Sequence, residues 1–130
     1  MALISSFRRL YSNIQITVEM GNWASIIDAV VNQHKLDALV TLTSGPAWFI
    51  DYINGDRDTG GCTTPAAVAG YPHITVPAGF YGTLPIGLSF FGTAWSEPTL
   101  LKLAYAWEQE TTARRKPAYA PSAPSPQTGR

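Results

Sequence analysis

Apolar residues recur with a helical period in the stretch that follows Gly21. The apolar face is formed by Trp23, Ile26, Ile27, Val30, Val31 and His34. These positions share one side of a helix, because 3.6 residues make one turn. Asn22 stands just before them, where a short polar side chain can accept a bond from a free backbone N–H group. The pattern therefore predicts an amphipathic helix over residues 23–34, capped by Asn22.

Three short apolar runs have the character of β-strands. Residues 36–42 follow the first helix after barely a turn and predict a buried strand. Residues 73–76 predict a second strand, which we expect Pro77 to close, and residues 85–91 predict a third. The turn at residues 79–83 is short enough to join the last two as a hairpin.

A short helix is predicted over residues 64–70, between the first and second strands. Thr63 or Thr64 can cap it, Pro65 suits the first helical position, and Gly70 suits the end. The helix thus has a fitting residue at each terminus.

A last helix opens at Ser96, Glu97 and Pro98. Its predicted inner face contains Leu100, Leu103, Ala104, Trp107 and Thr111. Residues 114–116 are basic and suit the negative end of the helix dipole, and Pro117 ends the helix.

Together these elements predict an α/β fold with a partial mixed sheet and flanking helices. Residues 1–21 remain unassigned, residues 22–116 form the domain, and residues 117–130 form a Pro-rich tail with little to bury, which we expect to be disordered.

Composition narrows the classes of partner. Nine basic and nine acidic residues give a net charge of +0, which argues against nucleic acid or an anionic membrane as the main partner. The charged fraction is 14 %, against about 25 % in an average domain, so we expect a larger body or a partner to cover apolar faces. No run is long enough for a transmembrane span. With a single cysteine and no sign of secretion, we expect a cytoplasmic protein without a cofactor.

Two segments invite a chemical interpretation. Residues 54–58 place side-chain oxygens as a calcium loop does, but Thr59 and Pro65 stand where that loop needs glycine and an acid, so we expect no metal site. Cys62 lies before a predicted helix, and with His73 and an aspartate it could form a Cys/His/Asp hydrolase site. A packing role for this cysteine is the simpler interpretation.

The middle of the chain carries motifs in a specific order. They are the segments 36–40, 60–72, 74–79, 84–88 and 91–92, among which Ala69-Gly70-Tyr71-Pro72-His73-Ile74-Thr75-Val76-Pro77-Ala78-Gly79 is the most distinctive. This order and spacing resembles the C-terminal portion of an amidase-signature family enzyme, over roughly residues 22–117.

The resemblance implies a large mixed sheet wrapped by helices, and hydrolysis or transfer of a carboxamide nitrogen. Catalysis in that family uses a lysine and two serines from an upstream Gly/Ser-rich segment, to which nothing here corresponds, because Lys35, Lys102 and Lys116 precede no such run. No catalytic residue can therefore be assigned. The loop over residues 48–58 is expected to approach the substrate pocket, and its candidate lining residues are Trp48, Asp51, Asn54 and Asp56.

We therefore expect the C-terminal part of an amidase, inactive alone, whose partner is the missing N-terminal part or a second copy. The alternative is a non-enzymatic binding or assembly module that docks through an exposed sheet edge.

Overall fold

The computed structural model describes residues 22–55 and 60–119. The unassigned segment 1–21, most of the predicted tail and the candidate residue Asp56 lie outside these ranges. The elements, in chain order, are α1 (Trp23–His34), β1 (Leu39–Leu42), α2 (Thr63–Ala69), β2 (His73–Tyr81), β3 (Leu84–Phe91) and α3 (Glu97–Thr111).

Helix α1 has the predicted bounds and the predicted cap. The backbone N–H of Ser25 donates to Oδ1 of Asn22 at 3.1 Å. Ile27 and Val31 are buried on the predicted face. Lys35 adopts a left-handed conformation with φ of 50°, which ends the helix.

The described strands form one sheet in the order β1-β3-β2, and every neighbouring pair is antiparallel. Phe91 of β3 lies opposite Leu39 of β1 on one side and opposite His73 of β2 on the other. The α/β class is confirmed. The mixed strand directions expected from the sequence do not occur among the strands of the described ranges.

Strand β2 continues past the proline that was expected to close it. Pro77 lies inside the strand, which runs on to Tyr81, and the pairing register shifts between Pro77 and Gly79. A proline is tolerated here because β2 is an edge strand, where a missing N–H group need not remove a bond of the sheet. The hairpin turn is correspondingly short and has Gly82 at φ of +63°.

Helix α2 begins differently from the prediction. Its N-cap is Cys62, which makes no side-chain capping bond, whereas Thr63 and Thr64 already lie within the helix. Pro65 still falls in the first turn, where its missing N–H group costs no intrahelical bond. Gly70 ends the helix at φ of 70°, as predicted.

Helix α3 ends earlier than the prediction. Thr112 takes a left-handed φ of 45° after Thr111, so the basic residues 114–116 lie beyond the helix and not in its last turn. At the other end, the Ser96 hydroxyl donates backwards to the Thr93 carbonyl at 2.8 Å instead of capping the helix.

Helices cover both faces of the sheet. Ile27 of α1 and Ala66 of α2 pack with Phe91 on one face, and the Tyr71 hydroxyl, just after α2, donates to Asp28 of α1 at 2.8 Å. Leu100 and Ala104 of α3 pack with Phe90 on the other face. Successive residues of a strand point to opposite faces, so the neighbours Phe90 and Phe91 belong to different hydrophobic clusters.

Candidate functional site

A cluster of three hydroxyl groups lies across the sheet, beyond the part that α1 and α2 cover. Ser89 Oγ on β3 is 2.8 Å from Thr43 Oγ1 and 3.1 Å from Thr75 Oγ1. Thr43 Oγ1 also donates to Thr75 Oγ1 at 3.5 Å. Ser89 is completely buried, so its hydroxyl is satisfied by the two threonines and not by solvent.

Gly87 leaves room for this hydroxyl cluster. A Cβ atom at Gly87 would stand 2.7 Å from Thr43 Oγ1 and 2.8 Å from Thr75 Cγ2. Both separations are shorter than atoms tolerate, and both threonines are β-branched and stiff at χ1. The glycine therefore allows the two threonines to approach each other over β3.

The glycine-rich loop before α2 is fastened to the same place. The Cys62 N–H group donates to the Thr43 carbonyl at 3.0 Å, and Gly61 forms a β-bridge with Ser44. A Cβ atom at Gly61 would lie 3.0 Å from the Thr43 carbonyl oxygen. The loop thus holds the end of β1 beside the hydroxyl cluster, and it needs small residues for this close approach.

Cys62 and His73 are neighbours in space, as the hydrolase interpretation requires. Cys62 Sγ lies 4.0 Å from His73 Nε2, and the imidazole is tilted against the Phe91 ring with centroids 5.7 Å apart. Burial lowers the pKa of His73, which disfavours the imidazolium that would stabilise a thiolate. Within the described ranges no group of three or more His, Cys, Asp or Glu residues could hold a metal ion. The described residues therefore provide a thiol and an imidazole but no complete triad.

The burial of His73 predicts a pH dependence of stability. The unfolded chain binds a proton on His73 near the ordinary pKa of 6.5, whereas the folded chain binds it at lower pH. The stability from neutral His73 is thus fully present above pH 6.5 and is lost as the pH falls through the lower pKa of the folded state. We expect the urea midpoint to fall from about pH 7.5 to about pH 5, and to fall less in the variant His73→Gln. An equal fall in both chains would contradict this assignment.

An open groove of about 840 Å³ runs beside the hydroxyl cluster. Thr43, Thr75 and Gly87 lie on its sheet side, and residues 114–119, which follow α3, form the opposite wall. The Arg115 guanidinium is stacked over the Phe80 ring at 4.6 Å from the ring centroid, which joins the wall to β2. The groove therefore has one wall from the sheet and one from the segment after α3.

The residues predicted to line a pocket lie elsewhere. Trp48 is 41 % exposed, and neither it nor Asp51 nor Asn54 lines the groove. Asp51 accepts bonds from Asn54 Nδ2 at 2.8 Å, from the Asn54 N–H at 3.0 Å and from the Ile53 N–H at 2.9 Å. These bonds, the side-chain bond of Asn54 foremost, lower the pKa of Asp51. Asp51 and Asn54 therefore build their own turn, and a role in a substrate pocket stays a prediction for them and for Asp56.

Sequence reasoning missed the hydroxyl cluster, although a signal for it exists. Thr75 and Ser89 are polar positions inside otherwise apolar strands, and Thr43 follows the first strand. Pairing of β2 with β3 sets Thr75 directly opposite Ser89. The signal becomes readable only with the register, because separate strands do not reveal which polar positions meet.

The fold and the glycine-rich motifs define a segment of the amidase type. The chain is similar over most of its described length to the C-terminal region of amidase-family proteins, which confirms the resemblance drawn from the motifs. A comparison with models of protein families gives no match. Within the described ranges no helix is long and apolar enough to cross a membrane.

Particular relatives show how much of such a protein the chain spans. The solved structure of native peptide amidase from Stenotrophomonas maltophilia is 52 % identical, with a TM-score of 0.65 over 74 % of this chain and 19 % of that one. A protein of Arabidopsis thaliana named probable amidase is 37 % identical over 94 residues, covering 72 % of this chain and 15 % of the relative. A glutamyl-tRNA(Gln) amidotransferase polypeptide of Moorella thermoacetica is 46 % identical over 55 residues, which are 42 % of this chain and 11 % of the relative. The chain therefore spans less than a fifth of each.

Proposed function

We propose that this chain supplies the C-terminal part of an amidase catalytic domain and that its 130 residues do not hydrolyse amides alone. The activity of the assembled domain is hydrolysis of a carboxamide C–N bond. The observation that carries the proposal is the 52 % identity to a peptide amidase over 74 % of this chain, matched to only 19 % of that enzyme.

The chemistry of the described hydroxyl groups supports the absence of independent activity. A serine or threonine nucleophile needs an adjacent base, and an amidase-signature enzyme uses a lysine for this purpose. Ser89 is completely buried and bonded to two threonines. Lys35, Lys102 and Lys116 are all exposed. The hydroxyl cluster therefore acts as a rigid sheet surface and not as a nucleophile.

Exposed apolar side chains support a larger body around this segment. In the loop that follows β1, Phe49 and Ile50 are 62 % and 67 % exposed, and Tyr52 and Ile53 are each 92 % exposed. A contiguous apolar surface of this kind is typical of a site that another body covers. We propose that the covering body is the N-terminal part of the same kind of enzyme, with self-association of the chain as the alternative.

A hybrid enzyme tests this proposal. Residues 22–119 of this chain replace the matching region of the Stenotrophomonas maltophilia peptide amidase. We expect the hybrid to keep peptide amidase activity within roughly tenfold of the parent, a change of about 1.4 kcal/mol in the barrier. The 130-residue chain alone is expected to show none in the same assay.

Two controls separate the alternatives. The Cys62→Ala hybrid should be as active as the unmodified hybrid, because Cys62 is not the nucleophile in this proposal. Activity of the isolated chain that disappears in Cys62→Ala would assign the chemistry to the Cys62 and His73 pair instead. A soluble, folded but inactive hybrid would contradict the proposal and favour a binding module that docks through the β1 or β2 edge of the sheet.

A further inference from the structure

The charges along the groove are of one sign. Its charged lining residues are Arg114, Arg115 and Lys116, and no carboxylate is among the described residues that line it. The whole chain has a net charge of +0, so the positive groove is a local feature and not the result of a basic protein. Glu108 of α3 lines a separate cavity of about 30 Å³, which Arg114 also borders.

The rest of the lining is mostly apolar, with a few hydroxyl groups. Phe80, Ile86 and Tyr119 offer apolar surface, while Thr43 and Thr75 offer hydroxyls at the sheet. A volume of about 840 Å³ is in the range of small-molecule sites, which combine apolar walls with a few placed polar groups. The stack on Phe80 holds the Arg115 guanidinium in place, so less side-chain freedom is lost when it binds an anion.

We propose that this groove binds a small amphipathic carboxylate, a molecule with an aromatic or aliphatic body and one carboxylate group. The carboxylate pairs with the cations at residues 114–116, because guanidinium and ammonium groups form strong charge-assisted bonds to it. The apolar body lies against Phe80 and Ile86. This inference goes beyond the amide hydrolysis proposed above and does not depend on it, because binding here requires no catalytic residue.

A matched pair of ligands tests the proposal on the 130-residue chain. N-acetylphenylalanine carries the carboxylate, and N-acetylphenylalaninamide has nearly the same shape without the charge. We expect calorimetry to show binding of the acid at least roughly tenfold tighter than that of the amide. In amide-resolved NMR spectra, the acid should shift the backbone signals of Gly82, Thr83 and Gly87, which line the groove. Equal binding of the two ligands, or shifts confined to other residues, would overturn the proposal.

Charge variants provide the matched control. The triple variant Arg114→Gln, Arg115→Gln and Lys116→Gln should weaken binding of the acid by roughly tenfold or more. These residues are exposed and lie beyond α3, so the fold should survive the change. The double variant Lys35→Gln and Lys102→Gln removes exposed charge of the same sign outside the groove and should alter binding by less than about twofold. An equal loss in both variants would show a non-specific charge effect and refute the site.

A competition experiment distinguishes a second kind of occupant. A short oligoglutamate peptide is titrated against the chain while the same NMR signals are followed. In our proposal it binds more weakly than N-acetylphenylalanine, because it has no apolar body for Phe80 and Ile86. Stronger binding of the peptide at these signals would assign the groove to an acidic protein segment and overturn the proposal of a small ligand.

Discussion

The variant Leu100→Ala should lose about 2–5 kcal/mol of unfolding free energy, the range measured for such truncations in protein cores. Leu100 is only 2 % exposed and is among the largest fully buried side chains described. It packs from α3 against Phe90 and Val76 of the sheet, so its removal leaves a cavity where this helix meets β2 and β3. A loss of this size is a large share of the stability of a small domain. Urea unfolding followed by circular dichroism measures it.

The neighbouring position supplies the control for this variant. Leu101 is the same residue type on the same helix but is 59 % exposed, so Leu101→Ala should change the unfolding free energy by only about 0.5 kcal/mol or less. Helix propensity and side-chain volume change equally in the two variants. Equal losses at the two positions would mean that α3 does not pack on the sheet as described.

The variant Gly87→Ala should lose about 1–3 kcal/mol, although alanine normally suits a strand at least as well as glycine. The added Cβ atom would meet Thr43 Oγ1 at 2.7 Å and Thr75 Cγ2 at 2.8 Å. One threonine must therefore move, which breaks its bond to the buried Ser89 hydroxyl. The midpoint of urea unfolding, compared at a common slope, measures the loss.

A second substitution tests the cause of that loss. Thr43→Ala removes the oxygen closest to the new Cβ atom, so Gly87→Ala should cost clearly less in this background than alone. The difference is the coupling energy of a double-mutant cycle. Additive losses would show that the strain arises elsewhere, and a neutral Gly87→Ala would show that the hydroxyl cluster is loose.

The sequence predicted the elements with long, regular patterns well. Helix α1 was found with its cap because six positions share one face and Asn22 precedes them. The errors fell at residues whose local preference was overridden. Pro77 normally ends a strand, but an edge strand with a register shift accommodates it. The basic residues 114–116 suit a helix end, but α3 ends earlier, before Thr112.

The candidate site was less accessible to sequence reasoning than the fold. The motifs around Gly60–Gly92 led to the amidase resemblance, but the hydroxyl cluster joins Thr43, Thr75 and Ser89, which are far apart in the chain. Their meeting depends on strand order and register, which no single segment encodes. The groove depends in addition on the path of residues 114–119 after α3, which has no periodicity to read.

The alternation of Phe90 and Phe91 along β3 makes the two helical layers mutually dependent. A slip of β3 by one residue would exchange the clusters: Phe90 would leave α3 and face α1, and Ser89 would turn its hydroxyl into the apolar contact with Leu100. Neither layer can therefore change its pairing alone, and the central strand acts as a shared key for both. Loss of either layer should accordingly release the other in the same cooperative transition.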